Sequence, residues 1–197
     1  MSERMELVFA SNNVHKLKEI QSMLGDKASV KSLDDIGCNV DIPETGLTFA
    51  ENAKQKSDYV AVNYDMDCFA DDSGLEVEAL GQEPGVFSAR YSGTRDMEAN
   101  IDLLLTRLKN NENRKARFRT VICLHFKGKD HFFEGTIQGH IREARHGVGG
   151  FGYDPIFIPN GHERTFAEMS QEEKNSMSHR SIAVAKLVDF LKQQPLI

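Results

Sequence analysis

The sequence predicts an α/β protein with a mixed β-sheet flanked by helices, forming one domain over residues 1–197. Strand-like and helix-like segments alternate from end to end, and no linker, repeat or low-complexity tract separates them. Apolar residues make up 40% of the 197 residues, which is enough for a substantial core. One long segment alternates apolar and polar residues on either side of a turn, which is typical of an antiparallel hairpin. The sheet is therefore expected to contain both parallel and antiparallel strands.

The first residues predict a strand, a tight loop and a helix. "MELVFAS" is an apolar, strand-like run that begins at Met5. In "VHKLKEIQSMLG", Leu17, Ile20 and Leu24 recur at helical spacing. Gly25 follows as the expected end of this helix.

Two further helices are indicated by their caps and apolar spacing. Thr48 and Glu51 have the spacing of a capping box, so a helix is expected from Thr48 towards the strand that precedes Asp71. In "DMEANIDLLLTRLKNN" the apolar stripe that faces a core consists of Ile101, Leu104, Leu105 and Leu108.

The second half predicts a hairpin and a closing helix. The segment "RFRTVICLHFKGKDHFFEGTIQGHI" turns at "KGKD" and places on one side Phe118, Ile122, Leu124 and Phe126. Ser170 and Glu173 suit a short capped helix. The last helix is expected from about Ser178, to end before Pro195, with an apolar face of Val184, Leu187, Val188 and Leu191.

Charge and composition exclude several classes of function. A formal charge of −6 argues against a non-specific nucleic-acid binder, because affinity for a polyanion grows with the phosphates that Lys and Arg neutralise, and no nucleic-acid partner is expected. Cys38, Cys68 and Cys123 lie far apart, so buried, reduced thiols are expected rather than a zinc site or disulfides. No signal peptide or membrane-spanning segment is apparent, so we expect a cytoplasmic protein without membrane contact.

The stretch "FADDSGLEVEAL" places two adjacent carboxylates after an apolar run. Asp-Asp-Ser-Gly is ordinary turn chemistry, and a plain turn is one interpretation. If the strand instead continues through Asp71 and Asp72, their side chains point to opposite faces and have different roles. One would then face a ligand, and the other would orient a lysine or cap a backbone group. Ser73 and Gly74 would let the main chain approach the ligand closely.

Two other stretches offer groups suited to phosphates and to a metal ion. In "FASNNVHK" a strand ends near Ser11 and a helix begins near Asn13, which favours an anion at the helix start. Ser11 and Asn13 have the alternative role of capping the helix. Glu44, in a turn before a helix that carries Lys54 and Lys56, is either solvated or a ligand of Mg²⁺ together with an aspartate of "ADDSG".

The carboxyl-terminal third contains a glycine-rich loop and cations near helix starts. In "HGVGGFGYDPIF" the loop is either merely flexible or presents Phe151 as a stacking platform for a nucleobase. In "SQEEKNSMSHRSIAVAKL" positive charge near a helix start opposes the helix dipole and hints at an anionic or acceptor-bearing ligand. A solvated charged turn is the alternative for Lys174, His179 and Arg180.

Together, six stretches resemble the inosine/xanthosine triphosphate pyrophosphatase family in order and separation, from Ser11 to Arg180. They are "SNNVHK", "PETGLTFAENA", "ADDSGLEVEAL", "PGVFSARYSG", "GGFGYDPIF" and "EKNSMSHR". The resemblance implies a Mg²⁺-dependent enzyme that cleaves ITP, dITP and XTP to the monophosphate and pyrophosphate and so cleanses the nucleotide pool. It also implies an elongated mixed sheet, two lobes around a central cleft, and a homodimer.

The resemblance also implies a role for each matching residue. Phosphates would be held by Ser11, Asn12, Asn13, Val14, His15 and Lys16, with added charge from Lys56. Glu44 and Asp72 would bind Mg²⁺, and Asp72 would be the general base, supported by Asp71. Ser73 would contact the substrate, and the nucleoside pocket would comprise Phe151, Gly152, Tyr153, Asp154, Lys174, His179 and Arg180. Arg180 or a protonated His179 would donate to the 6-oxo group that adenine lacks.

Two rival functions stay open at this point. A nucleotide-binding module without turnover would keep the phosphate loop but has no need of Glu44 and Asp72. A pyrophosphatase for modified pyrimidine nucleotides would share the architecture but not the "SHR" and "FGYDP" stretches.

Overall fold

The computed structural model describes residues 5–25 and 28–194. The strands are β1 (Met5–Phe9), β2 (Ala28–Lys31), β3 (Cys68–Val77), β4 (Lys115–Phe126), β5 (Lys129–Ile141) and β6 (Phe157–Pro159). The α-helices are α1 (Val14–Leu24), α2 (Phe49–Tyr64), α3 (Met97–Arg107), α4 (Gln171–Asn175) and α5 (His179–Lys192). None of the described helices is long and apolar enough to cross a membrane.

The strands form one six-stranded sheet in the order β2-β1-β3-β4-β5-β6. β1 pairs in parallel with both β2 and β3, whereas β5 and β6 are antiparallel. The mixed sheet predicted from the sequence is therefore confirmed. β4 and β5 are joined by Lys127 and Gly128, whose φ values of 50° and 74° suit a tight hairpin turn.

The chain divides into two compact units. The first unit comprises Met1–Asp72, Thr120–Gly135 and Arg180–Ile197, and the second comprises Ser73–Arg119 and Thr136–His179. The expectation of a single domain over residues 1–197 stays a prediction, as do the two lobes and the cleft.

Alternation along β1 gives the first unit two apolar clusters. Leu7 and Phe9 pack in a cluster with buried residues of α1, β4 and α5. Val8 and Ala10 belong to a second cluster, which includes Val60 of α2. Because neighbouring side chains of a strand point to opposite faces, one short strand supplies both clusters.

The second unit has its own core. Leu104 and Ile101 of α3 pack with Leu75 of β3 and with a group of aromatic side chains. The rings of Phe118 and Phe157 meet edge to face, with centroids 4.6 Å apart. The predicted apolar stripe of α3 therefore does face a core.

Most predicted element boundaries agree with the structure. Thr48 caps α2 with the full capping box, and Ser170 caps α4 in the same way. β1 ends at Phe9, earlier than the predicted strand end, and the short edge strands β2 and β6 were not predicted. α5 ends at Lys192, which confirms the prediction that this helix ends before Pro195. All three cysteines are free and buried, as expected.

Candidate active site

β3 carries the two adjacent carboxylates in its middle. The strand runs without interruption through Asp71, Asp72, Ser73 and Gly74, so the turn interpretation of this stretch is wrong. Asp71 is fully buried and Asp72 is 6% exposed. Since burial of an unpaired carboxylate is costly, each must have polar partners.

Asp71 is held by cations of the first unit. The ammonium nitrogen of Lys16 lies 3.1 Å from Oδ1 and 3.0 Å from Oδ2 of Asp71. Arg180 Nε lies 3.6 Å from Asp71 Oδ2. Burial lowers the pKa of Lys16, and the negative charge of Asp71 opposes that shift. Asp71 therefore orients a lysine, which is the role that strand alternation allowed for one aspartate of the pair.

Asp72 has a different environment from its neighbour. Its Oδ2 accepts a hydrogen bond of 2.9 Å from the Asn52 side chain of α2. Burial raises the pKa of Asp72, while the charges of Lys56 and Lys16 act in the opposite direction. A buried carboxylate that a neutral side chain holds in place, and whose pKa is raised by burial, is suited to accept a proton.

Lys56 links Glu44 to the same strand. Its ammonium group forms an ion pair with Glu44 and donates a 2.7 Å hydrogen bond to the main-chain oxygen of Asp71. Burial disfavours the charge of Lys56, but Glu44 and Asp71 outweigh that effect, and the pKa of Lys56 is raised. Burial likewise opposes the charge of Glu44, yet Lys56 lowers its pKa overall.

The start of α1 is capped by its own polar residues. Asn13 Oδ1 accepts from the main-chain nitrogens of His15 and Lys16, at 3.1 Å each. Ser11 Oγ accepts from the main-chain nitrogen of Asn13 at 3.2 Å. The capping roles of Ser11 and Asn13 are therefore observed, and their phosphate contacts stay predictions. A phosphate at this helix start would replace Asn13 as the acceptor for these N–H groups.

Arg180 is held by a residue that the sequence did not suggest. Its guanidinium group pairs with Glu19 of α1, and both side chains are buried. Arg180 was expected to face the base, but its described contacts join it to Glu19 and Asp71. Glu19 follows Lys16 by three residues on α1, which places both on one side of that helix.

Residues of the glycine-rich loop surround Asp154 in the second unit. Asp154 Oδ2 accepts from Lys174 Nζ at 2.7 Å and from the Phe151 main-chain nitrogen at 2.9 Å. Lys174 Nζ also lies 4.8 Å from the centre of the Phe151 ring, a cation–π arrangement. A Cβ atom on Gly150, whose φ is 71°, would lie 2.1 Å from Asp154 Oδ2, so this position requires glycine.

The other predicted nucleoside residues have separate neighbours in this unit. The Tyr153 hydroxyl donates to the main-chain oxygen of Ser88 at 2.9 Å. The ring of His179 stacks on Phe118, with centroids 4.8 Å apart and planes 11° apart. Ser73 is half-buried in β3, and Gly152 is half-buried in the glycine-rich loop.

Comparison with known proteins agrees with the predicted resemblance. The profile of the Ham1 family matches residues 7–190. This chain belongs to the Ham1 family. A relative named dITP/XTP pyrophosphatase from Flavobacterium psychrophilum is 54% identical, and the match covers 95% of this chain and all of the relative. A dITP/XTP pyrophosphatase of Bacillus subtilis is 43% identical over 95% of this chain and 97% of its own.

Solved structures of Ham1 proteins have the same fold. The Ham1 protein of Staphylococcus aureus is 41% identical and superposes with a TM-score of 0.87, over 95% of this chain and 98% of its own. The HAM1 protein of Coxiella burnetii is 38% identical with a TM-score of 0.89, over 96% of this chain and all of its own.

In this Ham1 chain, Asn52 and Glu19 are the partners that sequence reasoning missed. Asn52 lies one helical turn before Lys56 in α2, and Glu19 lies almost one turn after Lys16 in α1. The sequence signal for both residues is a polar side chain within the apolar stripe of a helix. Burying such a side chain without a hydrogen-bonding partner costs free energy, so its position indicates that a polar partner lies opposite.

We predict that Glu19→Ala destabilises the protein by about 3 kcal/mol or more, because it removes a carboxylate partner from a buried guanidinium. Glu6→Ala is the matched control, since Glu6 pairs with Lys31 at 2.7 Å on the surface. An exposed pair of this kind contributes about 0–1 kcal/mol. Urea unfolding of both variants measures the difference. Equal losses in the free energy of unfolding would show that the buried Arg180–Glu19 pair stabilises the protein no more than an exposed pair does.

Proposed function

We propose that this chain hydrolyses deaminated purine nucleoside triphosphates, namely ITP, dITP and XTP, to the nucleoside monophosphate and pyrophosphate. The observation that carries the proposal is the buried Asp71–Asp72 pair in mid-strand, in contact with two lysines and an asparagine. The two relatives named dITP/XTP pyrophosphatase support the substrate class. Such an enzyme removes deaminated nucleotides from the nucleotide pool.

Glu44 and Asp72 are the residues that would hold Mg²⁺. Their carboxylate oxygens are the hard ligands that Mg²⁺ prefers, and the ion usually takes one or two carboxylates together with water and phosphate oxygens. The donor set fits by its chemistry, because both groups are carboxylates; burial raises the pKa of Asp72, and the negative charge of Glu44 adds to that shift. When bound, Mg²⁺ polarises phosphoryl oxygens and makes a bound water more acidic.

The positive charge that a triphosphate requires is concentrated on the buried Lys56 and on Lys16, whose side chain is 12% exposed. Lys16 and Lys56 are each fixed by Asp71, one through its carboxylate and the other through its main-chain oxygen. Phosphoryl transfer depends mainly on positioning and on neutralising charge, so ammonium groups held in place suit this reaction. The loop residues Ser11, Asn12 and Asn13 and the first α1 residues Val14 and His15 are proposed to contribute further phosphate contacts.

Asp72 is the proposed general base. It would accept a proton from the attacking water and thereby orient that water in line with the phosphorus. The Asn52 side chain holds Asp72 Oδ2, so the carboxylate is fixed before substrate binds. A fixed acceptor for the proton avoids reorganisation during the reaction.

We propose a set of residues for recognition of the base. Phe151, Gly152, Tyr153, Asp154, Lys174 and His179, together with Ser73 and Arg180, are the proposed nucleoside contacts. Phe151 would offer a ring face, which Asp154 and Lys174 hold in place. Arg180 would contact the substrate while its Nη1 remains paired with Glu19. We also propose that the enzyme is cytoplasmic and acts as a homodimer.

The purified protein is expected to release pyrophosphate from ITP, dITP and XTP in the presence of Mg²⁺, and far more slowly from ATP, dTTP and UTP. An arginine can only donate hydrogen bonds, so it matches a 6-oxo group and not a 6-amino group. Product analysis by ³¹P NMR separates pyrophosphate from orthophosphate. Preference for dTTP or UTP would indicate a pyrimidine enzyme, and binding without turnover would indicate a regulatory module.

Asp72→Asn is expected to lower kcat for ITP by roughly 10²–10⁴-fold, the range typical of a lost general base. The fold should be retained, because asparagine keeps an oxygen that accepts from the Asn52 amide. Asp58→Asn is the matched control, since Asp58 pairs with Lys54 at the surface. Turnover within twofold of wild type in a folded Asp72→Asn protein would remove this residue from catalysis.

Glu44→Gln is expected to raise the Mg²⁺ concentration for half-maximal activity at least about tenfold. Loss of an outer partner of a metal ligand already costs about 10–100-fold in affinity, so loss of a ligand should cost no less. Glu51→Gln is the control, because it removes a nearby charge while glutamine still completes the capping box. A Mg²⁺ titration measures both variants, and an unchanged midpoint in Glu44→Gln would exclude Glu44 as a ligand.

A further inference from the structure

The second unit contains a cavity that none of the proposed catalytic, metal-binding or substrate-binding residues lines. Its volume is about 650 Å³, and its wall includes Arg114, Arg142 and three histidines, with the apolar Ile141 and Ile158 beside them. Pockets of roughly 300–1,000 Å³ are typical of small-molecule sites. The positive side chains are notable in a chain whose formal charge is −6.

Arg114 places a fixed positive charge at this cavity. Its guanidinium donates from Nε to the Ile141 carbonyl at 2.6 Å, from Nη1 to the Leu108 carbonyl at 3.2 Å and from Nη2 to the Arg142 carbonyl at 2.8 Å. Carbonyl dipoles orient the group but do not neutralise it. Within residues 5–25 and 28–194, Arg114 has no carboxylate at ion-pairing distance. Its charge therefore remains to be balanced.

The main chain of Arg142 is hydrogen-bonded, whereas its side chain makes no hydrogen bond or ion pair within the described residues. Its main-chain nitrogen donates to the Ile156 carbonyl at 2.8 Å, and its carbonyl accepts from Arg114. The half-buried guanidinium makes no hydrogen bond or ion pair to any residue that the structure describes. The pKa of Glu168 is lowered chiefly by the 2.8 Å hydrogen bond that it accepts from the Thr165 main-chain nitrogen, and the charge of Arg142 is a lesser cause.

The remaining polar groups of the wall favour an anion over a metal ion. His140, His146 and His162 supply ring N–H donors. Glu143 and Glu163 oppose an anion, but both are exposed and so are screened more than the half-buried arginines. Among the described residues, the group with ligand atoms close enough for a metal ion is Asp58, His125 and Asp130, which do not line the cavity.

We propose that this cavity is a second anion site of the protein, which takes a small phosphate-bearing molecule such as pyrophosphate or a nucleoside monophosphate. A planar guanidinium group can donate two parallel hydrogen bonds to two oxygens of one phosphate. The guanidinium of Arg114 is already oriented by the three carbonyl groups. Ile141 and Ile158 are buried side chains that offer an apolar contact to a nucleoside. The shared chemistry of both ligands is the phosphate group.

Histidine NMR can locate the binding directly in this 22.1 kDa protein, which has seven histidines. Protein with ¹³C-labelled histidine is titrated with pyrophosphate at constant ionic strength and without divalent metal, and the resonances are assigned by single His→Gln variants. We expect saturable shifts of His140, His146 and His162. His15 and His179 report separately on the proposed catalytic residues.

Arg142→Gln should weaken this binding by roughly tenfold, as expected for loss of a charge-assisted hydrogen bond. Arg164→Gln should leave it unchanged, because Arg164 is an exposed arginine of the same unit that pairs with Glu173 at 2.5 Å. Should Arg142→Gln fail to fold, Arg142→Lys keeps the charge but not the planar fork, and it should give a smaller loss of affinity.

A titration with IMP in place of pyrophosphate identifies the source of the phosphate. Saturation by pyrophosphate alone indicates an inorganic ligand, and tighter saturation by IMP indicates a nucleotide; either result supports the site. The proposal is overturned if only His15 and His179 respond, if sodium sulfate gives the same shifts at the same concentration, or if Arg142→Gln binds as tightly as wild type.

Discussion

The structure of the first unit depends on the burial of two adjacent carboxylates within a β-strand. Asp71 and Asp72 lie in the middle of β3, where alternation sends their side chains to opposite faces. A buried carboxylate must be paired or hydrogen-bonded, so this strand imposes requirements on the helices beside it. α1 meets the requirement of Asp71 with Lys16, and α2 meets that of Asp72 with Asn52.

The side chains around Asp71 and Asp72 include nearly equal numbers of negative and positive groups, and the difference between the two numbers bears on metal and phosphate binding. The four carboxylates are Glu19, Glu44, Asp71 and Asp72, and the three cations are Lys16, Lys56 and Arg180. These seven groups therefore carry one net negative charge, and burial raises the pKa of Asp72 while the charges of Lys56 and Lys16 oppose that shift. A divalent cation at Asp72 would leave the group positive, which suits the arrival of a triphosphate.

The sequence predicted the α/β class, the long helices and the hairpin, because caps and apolar periodicity are visible within short windows of sequence. It also predicted the family, because six short motifs occur in the expected order. Thr48 with Glu51 marked the start of α2, and the alternation of β4 marked the hairpin. The local signal failed at Asp71–Gly74, where turn-forming residues lie within a strand. There, pairing with cations and with Asn52 outweighs local propensity, and no window of sequence contains those partners. β2 and β6 are too short for their periodicity to be seen.

The two missed partners obey a rule that the sequence does contain. The buried face of α2 consists of Phe49, Asn52, Ala53, Lys56, Ser57 and Val60, and half of these residues are polar. Each of the polar residues has a partner: Asn52 contacts Asp72, Lys56 contacts Glu44, and Ser57 donates to Cys123 at 3.2 Å. α1 repeats the pattern, because Glu19 is buried directly beside Ile20. Since a polar side chain on a buried stripe is costly unless it has a partner, such a residue indicates that a complementary group lies opposite. On α2, Asn52 is complemented by Asp72 of β3. On α1, Lys16 is complemented by Asp71 of β3, and Glu19 by the buried Arg180. The polar residues on these helix faces and the carboxylates of the "ADDSG" strand therefore depend on each other for burial.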